Sequence, residues 1–128
     1  DQSSVQTTLD QITRAFNQTV DILRSNLPSN VLLVVGGVWQ PTGVVGATSS
    51  GTNDTLRAAA FARDLPFVDM ISGKTYDSFE RVTWDNGAPW ITTANASTFV
   101  GADNVHPNDA GHKYLAYKWA QAFSSLTN

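Results

Sequence analysis

The chain has 128 residues, no cysteine, 41% hydrophobic and 15% charged residues, and a formal net charge of −3. That length and apolar share suit one small packed domain rather than a disordered segment. Without cysteine there are no disulfides or thiolate metal sites. Three lysines leave no basic stripe for nucleic acid, and no apolar run approaches the ~20 residues of a membrane-spanning helix.

Residues 3–27 read as an amphipathic helix. Val5, Leu9, Ile12, Phe16, Val20, Leu23 and Leu27 recur at steps of three and four, one stripe on a 3.6-residue period, and Pro28 stops it. The stripe is a core-packing face with no chemistry of its own. Val31-Leu32-Leu33-Val34-Val35 follows without polar alternation, which predicts a strand over 31–38 covered on both faces, as in parallel sheets. Gly36-Gly37 and Val38-Trp39-Gln40-Pro41 lead off its carboxyl end, where ligands gather in open α/β sheets. Trp39 is therefore a candidate pocket wall, against a tryptophan that packs under the loop.

Residues 41–53 are rich in Gly, Ser and Thr and read as a surface loop. Asn53-Asp54 then reads as a cap on a helix over Thr55–Arg63. Leu65-Pro66-Phe67-Val68-Asp69-Met70 gives the next buried parallel strand, over 66–70. The succession of helix, strand, helix and strand points to an α/β layered domain. Residues 71–102 form a long connection carrying Tyr76, Phe79, Trp84, Trp90 and Phe99, with a turn at Asp85-Asn86-Gly87. Such aromatics can stack on a sugar, line an acyl pocket or pin the loop to the core. Trp90 joins Trp39 as a substrate-contact candidate.

The most specific stretch is Asp103-Asn104-Val105-His106-Pro107-Asn108-Asp109-Ala110-Gly111-His112. A carboxylate three residues before a histidine can reach back in a tight turn and fix the tautomer of the ring, leaving the second nitrogen free as a base. On spacing alone the same residues also read as a capped helix, with Asn108 or Asp109 as the N-cap and His106 an ordinary surface residue. The terminal helix, about Asp109 to Leu126, is expected to bury Leu115, Trp119 and Phe123 at four-residue steps. His112 lies inside it, a position that suggests structure rather than catalysis. Asp69, at a strand end, is the other acid to weigh. The short Asp103 spacing is the stronger candidate.

The string D-x-x-H-P-N-x-x-G-H, ahead of an aromatic-rich terminal helix, resembles the last block of the SGNH (GDSL-type) hydrolases. The resemblance implies a three-layer α/β sandwich with a parallel sheet, of the flavodoxin-like kind. It also implies roles for Asp103 and His106 as two members of a Ser-Asp-His triad, with no cofactor or metal. The family's nucleophile lies in a G-D-S block near the start of its domain, and no G-D-S occurs here. Gly51-Thr52-Asn53-Asp54 matches the family's G-x-N-D signature literally, but it follows the buried strand that the signature should precede. The order of elements instead places the end of that signature at Asp1, and leaves Asn53 as a helix cap rather than an oxyanion donor. On this reading residues 1–128 are the carboxyl-terminal part of a single SGNH-like domain. Its partner is the missing N-terminal half, and one edge of the 31–38 strand is left unpaired.

The resemblance therefore implies a hydrolase of carboxylic esters, acyl or acetyl groups on a lipid or carbohydrate, inactive as this chain alone. The alternative is a non-catalytic binding or structural module on the same fold, such as a surface or viral attachment domain. Asn17, Asn53 and Asn95 head N-x-S/T sequons, which together with the low lysine lean towards a secreted or extracellular protein, or a viral particle.

Overall fold

The computed structural model describes residues 2–127, with side chains described from Gln6 onward. The expectations placed on Asp1 and on the Val5 side chain lie outside the described residues. Among the described residues eight elements follow in order: α1 (Gln2–Asn26), β1 (Val35–Gly36), α2 (Ala47–Ala62), β2 (Phe67–Asp69), β3 (Lys74–Tyr76), β4 (Val82–Asp85), α3 (Ala96–Phe99) and α4 (Asp109–Thr127).

The strands form one sheet in the order β1-β2-β3-β4. Consecutive residues of a strand face opposite sides, and β2 shows what that does here. Phe67 packs with Val20 of α1, Ala60 of α2 and Leu65, while Val68 packs with Trp90 and Ala122 of α4. Helices α1 and α2 therefore cover one face and α4 the other. Burying Phe67 and Val68 completely is worth roughly 1.5–3 kcal/mol for each side chain. The three residues of β2 thus anchor both layers.

The sheet is mixed, which corrects the expectation of a parallel one. Only β1 and β2 run parallel, with Val35 opposite Phe67. Strands β3 and β4, inside the stretch read as an irregular connection, continue the sheet in antiparallel steps. Short links allow nothing else, because a parallel step needs a crossover of a dozen or more residues. Asp77 closes the β3–β4 turn by accepting from the Phe79 and Arg81 amides.

The 31–38 strand is shorter and less covered than its sequence suggests. Its ladder runs from the Val35 amide, which donates to the Pro66 carbonyl, to the Gly37 amide, which donates to the Val68 carbonyl. Strand β1 sits at the end of the sheet order, so its outer edge has no strand partner among the described residues. Beside it runs an apolar groove lined by Phe16, Val20, Leu23, Leu33 and Val35. Leu32 there is 50% exposed. Among its described residues the stripe of α1 is accordingly buried only at Val20, and Leu23 and Leu27 stay exposed. In α4 the small Ala122 is enclosed, whereas Phe123, which its spacing placed in the core, is exposed at the groove.

Helix α2 begins at Ala47, eight residues before the expected start at Thr55. Gly51-Thr52-Asn53-Asp54 is therefore the interior of a helix and neither a surface loop nor a cap. Local propensity argues against helix in a Gly/Ser/Thr-rich stretch, and the tertiary contacts of Asn53 override it. Its Oδ1 accepts from the Val38 amide at 3.0 Å and its Nδ2 donates to Asp69 at 3.1 Å.

Candidate functional site

The loop between Val100 and Pro107 is closed at its base by an antiparallel bridge between those two residues. The Gly101 amide donates to the His106 carbonyl at 2.8 Å, and the Asn104 amide to the Gly101 carbonyl at 3.0 Å. Asn104 takes the left-handed conformation at φ 58°, which asparagine tolerates better than most residues. Asn108 then caps α4. Its Oδ1 accepts from the Gly111 amide at 2.8 Å, and its Nδ2 donates to the Thr98 carbonyl. Gly111 cannot carry a side chain, because a Cβ there would lie 1.9 Å from the Phe99 carbonyl oxygen. The helix start therefore seats directly on α3, and His106 is held one turn ahead of it.

Within this loop Asp103 uses both oxygens. Oδ1 accepts from the Val105 amide at 2.9 Å and the His106 amide at 3.0 Å. Oδ2 lies 2.7 Å from His106 Nδ1. The contact with the His106 ring, followed by the two backbone donors, holds the Asp103 carboxyl well below the usual carboxylate range. An ionised carboxylate only accepts, so Nδ1 carries the proton of that hydrogen bond. Nε2 of a neutral His106 is then the unprotonated nitrogen. It has no hydrogen-bond partner among the described residues, and the side chain is 78% exposed. The arrangement presents a base of fixed tautomer to the outside.

Trp39 reaches this loop from the carboxyl end of β1. Its indole Nε1–H donates to the Val105 carbonyl at 2.8 Å. Trp90 does not. Its ring is 1% exposed and packs edge-on against Trp84 and Trp119. Its carbonyl accepts from Tyr114 Oη and Asn95 Nδ2. Of the two substrate-contact candidates, only Trp39 is placed beside the Asp103–His106 pair, and Trp90 is a core side chain that has no surface to offer a ligand.

Asp69 is fully engaged elsewhere. Buried at the end of β2, it accepts from Asn53 Nδ2, Arg57 and the amides of Ile71 and Ser72. His112 is exposed on α4. Sequence reasoning missed the buried side chain of Asn53. A signal was there: Asn53, Leu56, Ala59 and Ala60 follow the helical period, which puts Asn53 on the apolar face of α2.

The chain is 35% identical over 115 residues to a GDSL lipase of Mycobacterium tuberculosis. The match covers 90% of this chain and 42% of the lipase, so the chain spans less than half the length of this relative. No protein-family model matches the sequence. No solved structure matches the chain.

Proposed function

We propose that this chain belongs to the SGNH (GDSL-type) hydrolases and supplies the base and the orienting acid of a carboxylic-ester hydrolase. The observation that carries the reading is the 2.7 Å contact between Asp103 and His106, with Nε2 unpartnered among the described residues and the side chain exposed. In it, His106 Nε2 takes the proton of a serine as the serine attacks the ester carbonyl, and returns it to the leaving alkoxide. Asp103 keeps the ring in one tautomer and stabilises the imidazolium that forms. The substrate class is an acyl or acetyl ester of a lipid or carbohydrate.

The nucleophile in this reading comes from outside the 128 residues, which contain no G-D-S triplet. Two observations support that assignment. More than half of the lipase lies beyond the matched region. The outer edge of β1, with the apolar groove beside it, also offers a surface for further strands and their covering side chains. Activity therefore belongs to the assembled domain.

The test is turnover of p-nitrophenyl acetate by a protein containing this chain together with its amino-terminal partner segment. Activity that disappears in His106→Ala supports the reading. Equal turnover with and without His106 refutes it and favours a binding module on the same fold.

A further inference from the structure

Residues 101–106 are half-exposed or exposed, yet a base must point in a constant direction to be useful. Most hydrogen bonds of this loop tip close on the loop itself: Asn104 to Gly101, Gly101 to His106, and Val105 and His106 to Asp103. They set the shape of the loop but not its attitude towards the sheet. The bond from the Trp39 indole to the Val105 carbonyl does that, across 66 residues of sequence.

Trp39 stands on a firm base. The Val38 amide beside it donates to Asn53 Oδ1. Asn53 is held in turn by the buried Asp69, which also takes Arg57. Gly37 fits so closely beneath Asn53 that a Cβ there would lie 2.3 Å from Oδ1. The segment that carries the indole is thus pinned to α2 and β2. The Val105–His106 peptide is held from both sides, its N–H (that of His106) by Asp103 and its carbonyl by Trp39.

We propose that Trp39 is a positioning residue: its indole N–H fixes the Val105–His106 peptide to the sheet, and so fixes the aim of the His106 ring. The proposal rests on the hydrolase reading for its purpose but not for its geometry. It gives the indole N–H a task other than touching substrate.

Two variants test it. Trp39→Phe removes the donor and keeps an aromatic ring. Replacing Trp39 by 3-benzothienylalanine keeps the indole shape and removes the N–H alone. In both, nitrogen NMR of labelled histidine reads the tautomer of His106, with His112 as the internal control. The expected result is the Nδ1–H tautomer retained at His106, since Asp103 sets it within the loop, no change at His112, and amide exchange at Val105 and His106 faster by about fivefold, as for the loss of one modest hydrogen bond. In the assembled hydrolase, kcat should fall about 10- to 100-fold, the scale of a misaimed catalytic group, with KM unchanged. Unaltered amide exchange at Val105 and His106 in both variants overturns the proposal. So does a raised KM at constant kcat, which would make Trp39 a substrate contact. Unfolding of the shape-preserving variant also overturns it, since the bond would then hold the domain rather than the loop. Faster exchange at Val105 and His106 in a protein whose turnover ignores His106→Ala leaves the positioning intact and sinks the hydrolase reading instead.

Discussion

Asp69 and Asp103 bend the chain in the same way. Each lends Oδ1 to the amides two and three residues ahead, Ile71 and Ser72 in one case, Val105 and His106 in the other. Asp77 repeats the device with offsets of two and four. What separates them is the partner of the second oxygen and its surroundings. Asp69 Oδ2, itself buried, meets the partly exposed Arg57 guanidinium. Asp103 Oδ2 meets an imidazole on the outside. A guanidinium keeps its proton at all working pH values, so the first pair can only hold structure. An imidazole has a second ring nitrogen that can take up a proton, so the second pair can do chemistry. One local turn thus serves stability at the end of β2 and a candidate reaction ahead of α4.

That contrast can be broken in order of expected effect. In the assembled hydrolase that we propose, His106→Ala should lower kcat by about 10⁶-fold, the scale of removing a triad base, without moving the melting midpoint, because the side chain is exposed. Steady-state turnover and a thermal scan on the same sample check both halves. Asp103→Asn should cost about 10⁴-fold by disturbing the tautomer while leaving the ring in place, measured by the same assay. Asp69→Ala should do the opposite. It strands Asn53 and two backbone amides, so urea unfolding should show a loss of about 3 kcal/mol. The molecules still folded in dilute urea should keep their turnover. An Asp69 variant that is stable but inactive would erase the distinction between the two acids.

The smallest effect concerns pH. The Asp103 carboxyl is held down in the folded loop, below its value in an unfolded chain. Its contribution is therefore fully present above the ordinary carboxylate range near ~4 and is lost as pH falls through the lower folded value. Hydrogen exchange at Val105 and His106, corrected for intrinsic rates, should stay protected from neutral pH to about 4 and weaken only in stronger acid. Protection that collapses well above that point would mean the carboxyl is not held as the geometry requires.

How much of this the sequence shows depends on how local the cause is. The Asp103–His106 contact spans three residues and a turn, so spacing alone suggests it. The extent of α1 and α4 follows from long periodic runs. Asn53 was hidden because its partners lie 15 and 16 residues away, while its Gly/Ser/Thr neighbours argue for a loop. The β3–β4 hairpin was hidden by brevity: three and four residues are too few for alternation to stand out. Trp90 shows a further limit, since an aromatic in a long connection reads the same whether it lines a pocket or fills the core.

The placement of Asn53 also bears on how the protein can be made. Asn53-Asp54-Thr55 is an acceptor sequence for N-linked sugar, and the nitrogen that would carry the glycan is the one that donates to Asp69. With 2% of the residue exposed in mid-helix, a transferase can reach it only before α2 has docked. In a secretory host, sugar transfer and folding would then compete for the same nitrogen, and every chain that loses the race carries a glycan where the core must close. Yield from such a host should rise when the acceptor is removed at Thr55, whose hydroxyl bonds only its own helix at Gly51, rather than at Asn53 itself.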